Sequence, residues 1–195
     1  MEIDKDPLLS VNLLVTTKPL DVPLLVVQIK HEAGNSSSAT LKFRDGDLVA
    51  GEFPLSDGND LIPGNSIAFE AGYGSERSVI FSGIIVKQSL LISTGAPAQL
   101  IIECYNPPPV IIPEPGVVLK LTLGNDIISI HMTADTENKN SGTVTFPGNA
   151  AVVPGNMIEI KGMSKRFNGD VYVRKVEHTL ESGNWLTTAT LGIGE

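Results

Sequence analysis

The stretches "LIPGNSIAFEAG" at 61–72 and "VVPGNMIEIKGM" at 152–163 decide the fold prediction, because they repeat one phrase. Each has two apolar residues, a Pro-Gly-Asn sequence and then alternating apolar and polar residues. Proline fixes φ and glycine accepts positive φ, which is typical of a tight turn. Alternation with a period of two indicates a half-buried β-strand. The repeat predicts that the chain carries two copies of one β module.

The elements that follow the phrase recur in the same order. In the first copy, 86–90 precede a glycine turn at Gly95 and a strand that ends near Cys104. In the second copy, 176–180 precede a glycine turn at Gly183 and a strand that ends near Ile193. The alternative is that any two antiparallel meanders look alike in this way. The ordered series favours duplication and aligns 86–90 with 176–180.

Composition also favours short strands and turns over long helices. The 195 residues include 42% hydrophobic residues, 18% charged residues, 19 glycines and 13 prolines. No segment has a sustained apolar period of 3.6 residues, so we predict an all-β protein. A net charge of -8 without a basic stripe argues against nucleic-acid binding. No apolar run approaches the roughly 20 residues that span a bilayer, and the acidic N-terminus does not resemble a signal peptide.

Five prolines between residues 106 and 116 indicate the boundary between the modules. Proline cannot donate to a strand ladder, so this stretch predicts an extended, semi-rigid linker. We therefore predict two tandem, similar, small antiparallel β-barrels at 1–105 and 117–195, joined by a Pro-rich linker at 106–116. Within the second barrel, 117–124 and 126–134 are expected to form a hairpin around Gly124-Asn125. Loops are expected at 34–38 and 135–142.

The sequence offers no convincing catalytic, metal-binding or cofactor-binding residues. His31, His131 and His178 are far apart in sequence, and none has the spacing that metal sites favour. Cys104 lies in an apolar run and is predicted to be a buried core residue. Trp185 is expected to pack at a barrel end or at an interface. Four aspartates, at 45, 47, 57 and 60, lack the spacing of a calcium loop and are typical of turns.

Two regions carry a family resemblance. The first is "SATLKFRDGDLVAGEF" at 38–53, followed by the Pro-Gly strand, "FSGIIV" at 81–86 and "IIECYN" at 101–106. The second includes "RFNG" at 166–169 and "GNWLT" at 183–187. Together they resemble the hub region of Vgr (Rhs-element) spike proteins and phage late control D proteins. The resemblance covers roughly two thirds of the chain.

The resemblance implies a structural baseplate hub without chemistry of its own. In that family, trimers of two-barrel chains form a ring that joins a sixfold inner tube to a threefold spike. Two features differ from the family pattern. The family usually has a substantial middle region between the barrels, and it usually continues into a spike where this sequence stops at Glu195.

These observations predict a non-enzymatic hub or adaptor of a contractile injection system or phage-tail baseplate. The expected partners are two further copies of the chain, the inner tube protein, a spike and other baseplate proteins, with assembly in the cytoplasm. One alternative is a tail-tube protein, which normally has one barrel per chain. Another is a carbohydrate-binding β module, although the aromatic content of only 5% gives few stacking platforms.

Overall fold

A computed structural model describes residues 8–46, 51–93, 96–109, 116–134 and 140–192. These residues form thirteen β-strands and no helix, which confirms the all-β prediction. The strands of the first half are β1 (Leu9–Val15), β2 (Lys18–Pro19), β3 (Leu24–Glu32), β4 (Ser36–Arg44), β5 (Ser66–Tyr73), β6 (Ser78–Leu91) and β7 (Gln99–Pro109). Those of the second half are β8 (Val117–Thr122), β9 (Ser129–Ala134), β10 (Asn140–Pro147), β11 (Met157–Lys161), β12 (Gly169–Glu181) and β13 (Asn184–Gly192).

The two halves share one strand order. Hydrogen-bonded neighbours run β1-β5-β6-β7-β4-β3 in the first half and β8-β11-β12-β13-β10-β9 in the second. Without the two-residue β2, each module therefore places its own strands in the order 1-4-5-6-3-2. One difference is that β1 is antiparallel to β5, whereas β8 is parallel to β11. The predicted duplication is thus present in the topology.

The repeated Pro-Gly-Asn turns make the same backbone hydrogen bonds in both modules. Gly64 N donates to the carbonyl of Ile85 (2.8 Å), and Ile85 N donates to the carbonyl of Asn65 (3.0 Å). In the second module, Gly155 N donates to Val173 (2.9 Å), and Val173 N donates to Asn156 (2.9 Å). Both glycines have positive φ. These bonds fix Ile85 and Val173 as equivalent positions.

A β-bulge follows at the same place in each long strand. The pairing of β6 with β7 shifts between Ile85 and Lys87, and that of β12 with β13 shifts between Val173 and Lys175. Gln88 therefore corresponds to Val176. The alignment of 86–90 with 176–180 was two residues out of register, because the sequence does not reveal how many residues each preceding turn takes.

Several local predictions were wrong. The expected hairpin of 117–134 is absent, since β8 pairs with β11 and β9 pairs with β10. The loop predicted at 34–38 ends earlier, because β4 begins at Ser36. Of the loop predicted at 135–142, residues 140–142 belong to β10 and 135–139 lie outside the described residues.

The Pro-rich segment starts as a strand. β7 continues to Pro109, so 106–109 extend the sheet, while 110–115 of the predicted linker lie outside the described residues. The prolines are tolerated because this end of β7 pairs with β4 alone, across a register shift. The exact module boundaries stay a prediction.

Each module has its own hydrophobic core. One cluster is built from strands of the first half, and the other is built from strands of the second half. Leu180 and Trp185 are exceptions, since they lie on β12 and β13 but pack into the first cluster. The second module thus contributes directly to the core of the first.

Candidate assembly surfaces

The modules are joined by backbone pairing as well as by the chain itself. Strand β3 of the first module pairs antiparallel with the C-terminal half of β12, from Lys175 opposite Glu32 to Glu181 opposite Val26. The N-terminal part of β12 pairs with β11 on the same side. On this side, β12 therefore pairs with its own module through its N-terminal part and with the first module through its C-terminal half. Its other side pairs with β13.

Two histidines meet on the buried face of this junction. The rings of His31 on β3 and His178 on β12 have centroids 6.1 Å apart. Nδ1 of His178 lies 3.1 Å from the Thr187 hydroxyl oxygen, and the Trp185 indole N–H donates to the same nitrogen over 3.4 Å. Sequence separation concealed this proximity, because only the pairing of β3 with β12 brings the two rings together.

Burial keeps both histidines neutral. Burial, together with a smaller effect of the nearby His31, lowers the pKa of His178 to about 3. Burial also lowers the pKa of His31, while a hydrogen bond to the Ile80 carbonyl opposes the shift. The other His31 nitrogen lies 2.6 Å from the Ser37 hydroxyl oxygen. Such hydrogen-bonded, uncharged rings are suited to joining two packed surfaces.

Trp185 lies at the contact between the modules. Its indole stacks on Tyr73 of β5, with centroids 5.6 Å apart and an interplanar angle of 25°. Gly148 lies directly against the indole, where a Cβ would overlap the ring. Trp185 is buried and packs into the core of the first module from a strand of the second.

The solvent side of the junction carries charge. Lys30 on β3 and Lys175 on β12 both lie within 3.5 Å of one Glu177 carboxylate oxygen. All three side chains are partly exposed, and such surface ion pairs typically contribute about 0–1 kcal/mol. The pair between Lys30 and Glu177 is consistent with this register of the two strands and adds little to its stability.

Several strand edges are unpaired in the part of the chain that the structure describes, including β8, the β1–β2 edge and the two edges considered next. Strand β9 ends the sheet and pairs with β10 alone. The C-terminal half of β6 pairs with β7 on one side, whereas its pairing with β5 stops at Ile84. Large apolar side chains near these edges are exposed: Val86, Leu90, Leu91, Ile92 and Ile128. Exposed apolar strand edges are surfaces for association.

Cys104 and Asp45, which have reactive side chains, are buried within the fold. Cys104 is buried in β7, and burial raises the pKa of its thiol to about 12. The Asp45 carboxylate is buried and accepts hydrogen bonds from the backbone N–H groups of Leu55 and Ser56, both over 2.9 Å. Asp57 and Asp60 are exposed, and Asp47 lies outside the described residues.

The described residues offer little for other kinds of site. No group of three or more His, Cys, Asp or Glu side chains could hold a metal ion there. Open depressions of about 170 to 250 Å³ occur on that surface. The same residues contain no helix long and apolar enough to cross a membrane.

Comparison with protein-family models gives one match. The model described as the Alg8 N-terminal domain matches residues 5–109 and 117–182, which is most of the chain. The chain belongs to the Alg8 N-terminal domain family. The two matched segments are separated by 110–116, within the Pro-rich stretch. No curated protein sequence matches this Alg8 N-terminal domain.

Solved structures show that this fold occurs in tail proteins. A tail protein from Neisseria meningitidis MC58 superposes with a TM-score of 0.63 and 10% identity, covering 95% of this chain and 96% of its own. The 43 kDa tail protein of prophage MuSo2 from Shewanella oneidensis gives 0.61 and 7%, covering 96% of each chain.

A third similar structure is the E. coli c3393 protein, with a TM-score of 0.59 and 9% identity over 94% of this chain and 77% of that one. It is described as a type VI secretion system component that resembles the T4 bacteriophage tail proteins gp27 and gp5. At these identities the likeness establishes the fold. The resemblance seen in the sequence is thus confirmed at the level of tail-protein folds, and the relation to Vgr proteins in particular stays a prediction.

Proposed function

We propose that this Alg8 N-terminal domain is a structural hub of a phage-tail-like or contractile injection particle, related to Vgr and late control D proteins. Three copies form a ring of six similar modules, which joins a sixfold inner tube to a threefold spike. The barrels have no catalytic role. Assembly takes place in the cytoplasm together with the tube, the spike and other baseplate proteins.

The observation that carries this proposal is the duplicated module. The two halves agree in strand order, in the hydrogen bonds of the Pro-Gly-Asn turns and in the position of the bulge. A chain with two equivalent modules presents threefold symmetry by chain and near-sixfold symmetry by module when three copies close a ring. The tail-protein fold supports the same reading.

The mass of the purified protein in solution tests the proposal. Light scattering is expected to give three times the chain mass of 20.7 kDa, and electron microscopy down the ring axis is expected to show six lobes. A hexamer of chains would support a tube protein in its place. A monomer at every concentration tested would overturn the hub proposal.

A further inference from the structure

The junction inside the chain predicts a junction between chains. Strand β3 is the second strand of its module, and it covers the C-terminal half of β12, the fifth strand of the other module. The equivalent of β3 is β9, and the equivalent of β12 is β6. Within the described residues these two edges have no strand partner, so each chain offers one unused copy of both halves of the junction.

We propose that β9 of one copy pairs antiparallel with the C-terminal end of β6 in the next copy. This inference rests on the proposed ring, and it names the strands that close it. The register follows from the junction in the chain, where His178 lies opposite Ile29. Their equivalents are Leu90 and Met132, so these two residues face each other between chains.

In the junction inside the chain, a strand covers the residues equivalent to Leu90 and Ile92, and they are buried there. His178 and Leu180 of β12 are 3% and 5% exposed beneath β3. Their counterparts are Leu90 on β6, which is 40% exposed, and Ile92 just beyond its end, which is 52% exposed. Apolar side chains thus stand at positions that the fold is built to cover.

The facing strand presents matching side chains. The proposed register places Ile92 opposite Ile130 and Leu90 opposite Met132 on one face, and directly opposed apolar pairs stabilise antiparallel strands. On the other face, Ser89 lies opposite Thr133. Exposed Leu91 lies opposite His131 on this second face, so the second face is mixed, whereas the first face is apolar on both strands. A shift of one residue would oppose the apolar face of β9 to the mixed face of β6.

Two polar atoms without a hydrogen-bond partner belong to residues that the proposed register aligns side by side across β6, β9 and β10, in one row. Among the described residues, the buried Gln88 Nε2 and the buried Asn140 Oδ1 have no hydrogen-bond partner. Asn140 is opposite Ala134 in β10–β9 pairing, and the proposed register puts Gln88 opposite Ala134 on the other side. An amide donor and an amide acceptor then face each other across a small side chain.

Part of the equivalent row is hydrogen-bonded inside the chain, between two residues of the first module. There the equivalent positions are Val176, His31 and Ser37, and His31 Nδ1 lies 2.6 Å from the Ser37 hydroxyl oxygen. A buried polar group without a partner costs free energy, so such groups require a partner. Both atoms are enclosed within the single chain, so the Gln88 and Asn140 side chains would have to turn towards the second copy to pair across the interface.

We assign a second copy of the chain to the β6 edge because β9 is the equivalent of β3, the strand that covers the equivalent edge of β12 inside the chain. The contact is heterologous, since two different edges meet, and it repeats until the ring closes. With two modules per chain, the junctions within and between chains alternate around the ring.

Disulfide cross-linking tests the register. The chain with Ser89→Cys and Thr133→Cys places the two thiols on directly opposed residues, and Leu90→Cys with Met132→Cys tests the adjacent pair of the other hydrogen-bonding type. The control, Ser89→Cys with Ser129→Cys, separates the thiols by about four residues, or roughly 13 Å. Buried Cys104 is common to all three proteins. Oxidation is expected to give covalent species up to a trimer for a matched pair and none for the control.

A charge substitution provides the second measurement. Leu90→Asp is expected to lower the trimer population at least tenfold in light scattering, whereas Val79→Asp, an exposed position of β6 opposite Glu70 of β5, is expected to leave it unchanged. If the wild-type protein is a trimer but neither matched double-cysteine variant forms cross-links, or the control variant cross-links equally, this strand pairing is overturned while the ring stands. A wild-type monomer without cross-links would overturn both proposals.

Discussion

Asp45 is a charged residue in the interior of the first module. Its side chain is 1% exposed, and its two carboxylate oxygens accept backbone hydrogen bonds from Leu55 and Ser56. Asp45→Asn places an amide donor against one of these N–H groups, so we expect the free energy of unfolding to fall by about 2 kcal/mol. Urea denaturation measures this loss. The exposed Asp57→Asn is the control, and equal stability of both variants would contradict the assigned role.

His178 predicts a stability that depends on pH. Its folded pKa of about 3 lies below the unfolded value of 6.5, so the unfolded chain binds more protons between these values and stability falls as pH falls. The loss from this residue reaches about 2 kcal/mol by pH 5. His178→Leu is expected to reduce the difference in urea midpoint between pH 7.5 and pH 5. His131→Gln, at an exposed histidine, is the comparison, and an unchanged difference in His178→Leu would refute the prediction.

Gly148, which follows β10, is fitted to one side chain of β13. A methyl group there would overlap the Trp185 indole, which is fixed between Tyr73 and His178. Because the neighbours are packed, we expect Gly148→Ala to cost about 1–3 kcal/mol. Gly192→Ala is the matched control, since its Cβ meets only the flexible Arg174 side chain. Thermal unfolding compares the two, and a larger loss in the control would contradict this account.

At the element scale, sequence reasoning succeeded where the signal was local. Alternation through Leu41 and Phe43 predicted a strand, and both side chains are fully buried in β4. It failed for β8, because adjacency along the chain favours a hairpin, whereas β8 pairs in parallel with the distant β11. Alternation shows which face of a strand is buried, but it does not identify the neighbouring strand. For the same reason the pairing of β3 with β12, and with it the contact of His31 and His178, was missed.

At the scale of the whole molecule, the repeated phrase was sufficient to predict the duplication. A turn with the same chemistry makes the same hydrogen bonds in both modules, so the likeness of Gly64 and Gly155 extends from sequence to structure. The sequence did not predict that Leu180 and Trp185 would complete the first core. That contribution depends on the pairing of β3 with β12, which the alternation of apolar and polar residues along one strand does not predict.

The shared core predicts that the modules unfold together. Trp185 is the single tryptophan, and it lies on a strand of the second module while packing in the core of the first. Phe43→Ala opens a cavity in the first core and is expected to cost about 3–5 kcal/mol. Tryptophan fluorescence and far-ultraviolet circular dichroism should then shift to one common, lower denaturant midpoint, because the pairing of β3 with β12 couples the two modules. Phe146→Ala, at the equivalent position of the second core, should lower the same midpoint. Two separate transitions in either variant would show that the modules are energetically independent.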